Sequence, residues 1–451
     1  MNHLIFFWFY RYGYAMSKPM PVGNFQWLEE HELAEFDPLS LNPEQDAIGY
    51  ICEVTLSYPT DFHIDHNSLP LAAEKLNITN DMLSPYAANA LSYHKKKGGS
   101  GAKYKATKLS TTFCRREKYV CHAACLKLYL ELGMKLIKVH RVIRFDQKSF
   151  IRPYIDFCAK KRAESKTKSR GNVYKLSANS VFGKMIENAD NRMDTVFVRD
   201  RATALKRNSD PRNKGQMILA ENLSISFQGK KRVKLAQLWP VGFSILEFSK
   251  AHMLALYYKQ IKPAFGSRVS CLLSDTDSFV LALSAPSADD AMRVMKGLGI
   301  ADTSNYSKDS DLHDPSTKSV PGLLKNECPD DAIVEVVAVR SKTYALRSSK
   351  SFDSRCKGVK TNVRKKIPFY EFRDVVTSST PKAVDVLQHT IQSKNHVNRL
   401  ISTRKTAFTN FDDKKYLAPC GIHTYPYGSK LIQWTEERNA CFFCSNPRLF
   451  A

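Results

Sequence analysis

The sequence predicts a fold that mixes helices with strands, spread over several structural units. Three observations carry that expectation. Two apolar runs, VSCLL and FVLAL, flank the quintet Ser274-Asp275-Thr276-Asp277-Ser278, which reads as a β-hairpin with an acidic tip. Residues 152–187 show helical spacing interrupted at Ser169–Asn172, which reads as two helices joined by a turn. A chain of 451 residues, 43% hydrophobic and 11% aromatic, can bury a sizeable core and divides into roughly two to four units.

The other elements follow in chain order. Residues 1–28 read as a strand and then a Pro/Gly turn, KPMPVGNF. The aromatic run Ile5–Tyr10 is too short to cross a bilayer and lacks a cleavage-site pattern, so it reads as a buried strand. Residues 48–58 form a second strand. Residues 59–110 read as irregular, because Pro59, Pro70 and Pro85 interrupt them and Gly98, Gly99 and Gly101 make 95–105 a loop. A helix is expected at Cys121–Leu132 and a strand at 136–145. Residues 190–237 are mixed and basic. A helix at Pro240–Tyr258 leads into the hairpin strands at 268–283. A polar loop at 301–330, a strand at Ile333–Val339 and a terminal unit with a cysteine-bearing tail complete the chain. No heptads, internal repeats or transmembrane helices are visible.

Charge narrows the partners. Lys plus Arg is 68 against 44 Asp plus Glu, giving +24 and a pI near 9.5. Residues 95–170 hold 22 Lys/Arg against 5 Asp/Glu, a net of +17 in 76 residues. Such a block repels itself unless a polyanion relieves it, most simply a nucleic acid. The 11 cysteines show no regular framework and no secretory signal is apparent. A reducing intracellular compartment is expected, nucleus and cytoplasm not being distinguished, with no membrane partner.

Three constellations point to chemistry. Asp275 and Asp277 sit on a tight turn, where two carboxylates suit hard Mg²⁺ ions, although an acidic hairpin tip is the plain alternative. The helix segment KLSANSVFGK puts Lys175, Asn179 and Phe182 on one face. A cation, an amide and an aromatic plane are what the phosphates, sugar and base of a nucleoside triphosphate require. Gly183 leaves room for close backbone approach. An ordinary amphipathic helix with Phe182 in the core is the alternative. Lys175 precedes Asp275 by 100 residues, and Arg340-Ser341-Lys342-Thr343-Tyr344 follows a predicted strand.

In that order the three resemble motifs of the family B DNA polymerases. KLSANSVFG resembles the fingers motif K-x-x-x-N-S-x-Y-G, with Phe182 in the Tyr place. SDTDS resembles the palm metal motif, and Lys342–Tyr344 the primer-strand motif K-x-Y. Four further segments are similar to the protein-primed polymerases of Maverick/Polinton transposons and related viruses. They are YGYAMSKPMPVGNFQWL (12–28), EVTLSYPTDFHIDHNSLPLA (53–72), VGFSILEFSK (241–250) and FDDKKYLAPCGIHTYPYG (411–428). The likeness covers about 12–428.

The resemblance implies an α+β right-hand polymerase fold of palm, fingers and thumb, with an antiparallel palm sheet and without the family's exonuclease domain. Its units would be an N-terminal part of the palm (1–58), a basic insertion (59–150), fingers (151–189), a second insertion (190–235), the palm with the metal hairpin (236–345), and the thumb and tail (346–451). The palm sheet would draw on 1–58 and 235–345. The implied activity is DNA-directed DNA polymerisation, joining deoxynucleotides to a primer 3′-hydroxyl or a protein primer with two Mg²⁺ (or Mn²⁺) ions. Asp277 would be the principal metal ligand and Asp275 the secondary acid. Lys175 would hold the triphosphate, Asn179, Phe182 and Gly183 would border the nucleotide, and Lys161 and Arg162 would add phosphate contacts. Tyr12 would lie under the deoxyribose, where a 2′-hydroxyl would clash. Lys342, Tyr344 and Thr276 would hold the primer strand. Implied partners are primer–template DNA, deoxynucleoside triphosphates and a possible terminal protein.

One departure bears on activity. The family carries another aspartate in D-x-x-N-L-Y-G, and Phe7 occupies its place before Tyr12-Gly13. No Asp or Glu occurs before Glu29, and Glu53 could deputise only by a register change. The chain therefore reads as a truncated polymerase, from a decayed element or a gene model beginning late. It is expected to bind primer–template yet polymerise poorly. A non-catalytic nucleic-acid-binding relic is the alternative. A reverse transcriptase is disfavoured, because its paired adjacent aspartates are absent. His63, Asp65 and His66 are expected to be structural, and Cys121 and Cys125 to be core residues. Cys420-x-x-His423 and Cys441-x-x-Cys444 have zinc-like composition. Zinc is nevertheless not expected there, since the family's G-I-H-T segment does without the cysteine and the tail is variable.

Overall fold

The aromatic run near the N-terminus forms strand β1 (Asn2–Phe9), which the computed structural model places inside the largest sheet. The structure describes residues 2–9, 11–96, 105–234, 237–275, 278–329, 331, 333–394 and 397–447. After β1 come α1 (Arg11–Met16), β2 (Met20–Trp27), α2 (Glu30–Ala34) and β3 (Ile48–Ser57). The turn expected at KPMPVGNF is largely strand β2. Pro21 is tolerated because β2 lies at a sheet edge, and register shifts on both sides of Gly23 absorb the irregularity.

The stretch expected to be irregular is ordered into β4 (Glu74–Thr79), α3 (Pro85–Lys96) and β5 (Lys105–Ser110). Pro85 opens its helix, where a missing N–H costs nothing. Next come β6 (Arg116–His122), α4 (Ala123–Glu131) and β7 (Lys135–Lys148). The helix expected from Cys121 starts at Ala123, because the His122 ring caps it by accepting from the Ala124 N–H at 3.1 Å. Cys121 and Cys125 are both buried, as expected.

The helix pair is α5 (Arg152–Ala163) and α6 (Lys168–Met185). Its turn falls before Lys168 and not at Ser169–Asn172. The Thr167 hydroxyl accepts from the Arg170 N–H and starts the second helix there. A three-stranded unit follows, made of β8 (Met193–Val198), α7 (Arg201–Asn208), β9 (Asn213–Ala220) and β10 (Leu223–Gly229).

Helix α8 (Trp239–Ala255) continues through a π-turn at Leu256–Ile261 into α9 (Lys262–Phe265). The hairpin strands are β11 (Val269–Ser274) and β12 (Ser278–Ser284), as expected. Then come α10 (Ala288–Gly297), the short strands β13 (Ala301–Asp302) and β14 (Leu324–Asn326), and β15 (Ile333–Arg340), β16 (Thr343–Ser348) and β17 (Phe352–Arg355). The chain goes on through α11 (Thr361–Arg364), α12 (Phe369–Thr377) and the long hairpin β18 (Ala383–Lys394) and β19 (Val397–Thr409). It closes with β20 (Tyr416–Leu417), β21 (Thr424–Tyr425), α13 (Lys430–Arg438) and α14 (Phe442–Ser445).

The main sheet runs β11-β12-β1-β15-β16-β17, with β14 also paired to β1. Its neighbours are antiparallel except for β13 and β14. Only β1 of residues 1–58 joins it. β2 and β3 instead form a second sheet, β2-β7-β3-β6. The expectation that all of 1–58 feeds one sheet is thus corrected, because the 14-residue strand β7 supplies partners for both.

Helix α8 is apolar on several sides and packs between these layers. Val241, Ile245 and Phe248 meet Met16 of α1, Ile155 of α5 and Ala178 of α6 in one buried cluster. Its Glu247 is buried, ion-paired to Lys250, and accepts from the His122 N–H at 3.1 Å. Gly242 marks the closest approach, since a Cβ there would lie 2.1 Å from Cγ2 of Ile186, just after α6. A separate cluster joins Ile78 and Ala87 of the 59–150 segment to Tyr416, Tyr425 and Leu431 near the C-terminus. His63 and His66 are buried. The His63 ring stacks on Phe113 at 4.2 Å, and His66 Nδ1 meets the Tyr58 hydroxyl at 2.6 Å. Among the described residues no helix is long and apolar enough to cross a membrane.

Gly242→Ala should destabilise the chain by about 1–3 kcal/mol, because a branched neighbour must move. Thermal melts check this, and Ile186→Ala in the same chain should recover part of the loss.

Candidate nucleotide and primer site

The acidic hairpin is built by β11 and β12, whose cross-strand pairs run from Val269↔Leu283 to Ser274↔Phe279. Asp275 follows β11. Its N–H donates to the Ser278 carbonyl at 3.2 Å, and the Ser278 hydroxyl donates to the Asp275 carbonyl at 3.1 Å. Thr276 and Asp277 lie outside the described residues. On the neighbouring strand Phe7 stands opposite Phe279, and on its other side opposite Asn326. Position 7 is therefore one strand away from the acidic tip, in the interior of the sheet.

Lys342 comes to the same tip from the turn between β15 and β16. Its backbone is left-handed, with φ of 62°, and its Nζ lies 3.4 Å from Asp275 Oδ1. Tyr344, at the start of β16, is buried, and burial raises its hydroxyl pKa, with the Asp275 charge adding to the rise. The turn Arg340–Tyr344 and Asp275, 65 or more residues apart in sequence, thus meet in space.

The second cluster lies on α6. Lys175, Asn179 and Phe182 are half-buried and fall on one face, and Ala178 beside them is fully buried. Phe182 stacks on Tyr12 of α1 with ring centroids 4.8 Å apart and planes inclined by 14°. Asn179 Oδ1 is buried without a hydrogen-bond partner, the kind of atom that a ligand or ordered water satisfies. A Cβ at Gly183 would meet nothing within 4 Å, so this glycine borders open space. Lys161 on α5 is ion-paired to Glu164 at 3.0 Å, and a phosphate would have to compete for it.

Sequence reasoning missed Glu327, which follows β14 directly. Its side chain reaches the surface, yet enough protein surrounds the carboxyl for burial to raise its pKa; Lys325, Lys175 and Arg162 pull the other way. Lys175 on α6 thus acts electrostatically on an acid beside the strand that flanks position 7. Nothing in the polar run 301–330 distinguishes this acid from its neighbours.

Glu53 does not deputise for the missing acid. It lies on β3, in the second sheet, and Arg141 holds its carboxylate at 2.8 and 3.2 Å and lowers its pKa. Among the described residues the donors fall short of a two-ion Mg²⁺ centre. Phenylalanine offers no oxygen at position 7, and the tip carboxylate of Asp275 is already engaged by Lys342.

Zinc was not expected at Cys420, His423, Cys441 and Cys444, yet their ligand atoms all lie within 4.8 Å of one another and could hold a metal ion. The β20–β21 loop and α14 bring them together through packing that residue spacing alone does not reveal.

The sheet, the helix pair and the acidic hairpin resemble the fold of a DNA polymerase. Two solved structures share it. One is Phi29 DNA polymerase complexed with primer-template DNA and incoming nucleotide substrates, at 15% identity and a TM-score of 0.52. The match covers 90% of this chain and 58% of that one. The other is the same enzyme in its post-translocation binary complex with primer-template DNA, at 14% identity and a TM-score of 0.50, covering 90% and 57%. The chain thus spans less than two thirds of the polymerase it matches. No family model matches the sequence, and no curated protein does.

The Tyr12–Phe182 stack should couple α1 to α6. A double-mutant cycle with Tyr12→Ala and Phe182→Ala, read by denaturant unfolding, should give an interaction of about 0.5–1.5 kcal/mol.

Proposed function

We propose that the chain is the core of a DNA-directed DNA polymerase of the protein-primed, family B kind, which grips primer–template DNA and a deoxynucleotide but transfers nucleotides poorly. The observation that carries this reading is the Lys342–Asp275 contact, which joins the K-x-Y turn to the SDTDS hairpin within a polymerase-like fold. The four segments similar to Maverick/Polinton-type and viral polymerases extend the proposal to that group, with a terminal protein as a possible partner.

In this reading each residue has a physical task. Lys175 attracts the triphosphate, and Asn179 offers its unpartnered Oδ1 to the nucleotide. Phe182 and Tyr12 form an aromatic floor against which the sugar and base are held flat. Gly183 keeps the approach open. Lys342 releases Asp275 when a primer terminus arrives and turns its charge to the phosphates, with Tyr344 fixing the turn beneath. Asp275 and Asp277 would face the reacting end, with Thr276 between them, and Lys161 and Arg162 would supply outer phosphate contacts. The +17 charge of residues 95–170 supplies sequence-independent attraction to the duplex. Mg²⁺ would supply charge neutralisation at the transferred phosphate, but the missing carboxylate at position 7 removes a ligand on which that depends.

A specific observation favours a second reading. Phe7 in the interior of the sheet is what a purely binding relic of such an enzyme would carry.

Primer–template affinity and primer extension distinguish the two. Binding, measured by fluorescence anisotropy, should weaken steeply with salt. Lys342→Ala should weaken it on every sequence and make the log–log salt slope shallower by roughly one unit. Extension should be slow and vanish in Asp277→Ala. Extension absent from the unaltered chain, with binding intact, would favour the relic. Fast Mg²⁺-dependent extension would contradict the claim of impairment, and absence of binding would contradict both readings.

A further inference from the structure

We propose that Cys420, His423, Cys441 and Cys444 form a structural zinc site that ties the β20–β21 loop to α14 within the C-terminal segment. The site stands apart from the proposed polymerase function and does not depend on it.

The geometry is that of a tetrahedral centre. His423 Nδ1 lies 3.3 Å from Cys420 Sγ, 3.4 Å from Cys441 Sγ and 3.6 Å from Cys444 Sγ. Around zinc, bonds of about 2.3 Å to sulfur and about 2.0–2.1 Å to nitrogen put those atoms roughly 3.5–3.6 Å apart. Three sulfurs spaced evenly about one ring nitrogen fit a shared central ion. A disulfide would join two of them and leave the third without a purpose.

The local backbone is built for the same task. The first pair lies on the loop between β20 and β21, closed by hydrogen bonds from the Ala418 N–H to the His423 carbonyl and from the Gly421 N–H to the Ala418 carbonyl, both 2.9 Å. Gly421 takes φ of 73°, a left-handed turn that a side chain disfavours. The turn lets the His423 N–H donate to Cys420 Sγ at 3.4 Å, a bond that steadies a thiolate ligand. The second pair lies on α14, with Cys441 before its first turn and Cys444 one turn on, so both face the loop. The Tyr425 hydroxyl meets Cys441 Sγ at 3.4 Å, and the Phe443 ring covers His423 at 5.2 Å. Three cysteines and a histidine select zinc over harder ions.

The position explains what the ion would do. Cys441 belongs to the buried cluster that also holds Ile78 and Ala87 of the insertion. Ile422 and His423 line a groove of about 810 Å³ that is also lined by Ser274 of the acidic hairpin and by Arg340. An ion would add a cross-link between the β20–β21 loop and α14 at the edge of that cluster.

Elemental analysis of the full chain, purified under reducing conditions, tests the proposal, with Co²⁺ as a spectroscopic probe after zinc removal. The expected result is one zinc per chain, intense thiolate-to-cobalt absorption, and a melting temperature lower by about 5–10 °C after chelation. Cys444→Ser, at the surface, should lose most of the metal, while His423→Cys, which keeps four ligands, should retain it. A folded chain that carries no zinc and shows no thiolate–cobalt band would overturn the proposal. So would zinc content unchanged in Cys444→Ser and in a Cys441→Ser/Cys444→Ser double variant.

Discussion

Strand β1 is the constraint on which the rest depends. It pairs with β12 from Asn2↔Ser284 to Trp8↔Ser278, and on its other edge with β14 and β15. The acidic hairpin, the strand before Glu327 and the strand that presents Lys342 are thus all registered against eight residues. A strand with neighbours on both sides must be apolar and β-prone, and Leu4-Ile5-Phe6-Phe7-Trp8-Phe9 meets that demand without interruption. A carboxylate at position 7 would be costly in such a strand unless cations neutralised it.

Helix α8 supplies the second layer of support. It seats α1, α5 and α6 on one apolar cluster, so Tyr12 and Phe182 reach each other through helices that share a base. The contact of Gly242 with Ile186 sets how closely the helix pair can sit on that base. In the proposed function this closeness places the nucleotide-facing side of α6 over the sheet.

Local pattern made much of this legible. The hairpin was readable because two apolar runs flank a polar quintet, and the α5–α6 pair because its apolar spacing is helical. Motif order led to Lys342 and Asp275, which the fold brings within 3.4 Å. What was not legible depends on partners distant in sequence. Strand β2 looks like a turn until β7 is seen to pair with it, and 59–110 looks irregular until the C-terminal residues supply its core. The four metal-type ligands were visible as a pattern, but their convergence was not, because the packing of α14 against the β20–β21 loop is a tertiary fact. Glu327 was hidden because its meaning comes from two cations on other elements.

The central claim is that Phe7 limits the proposed polymerase activity. Phe7→Asp tests it most directly, with primer extension in Mg²⁺ as the readout and Phe7→Asn as the control for polarity alone. A bridging carboxylate is worth several kcal/mol, so Phe7→Asp should raise the extension rate by about 100-fold or more over both the unaltered chain and Phe7→Asn. A folded Phe7→Asp chain that binds primer–template and extends no faster than Phe7→Asn would contradict the account.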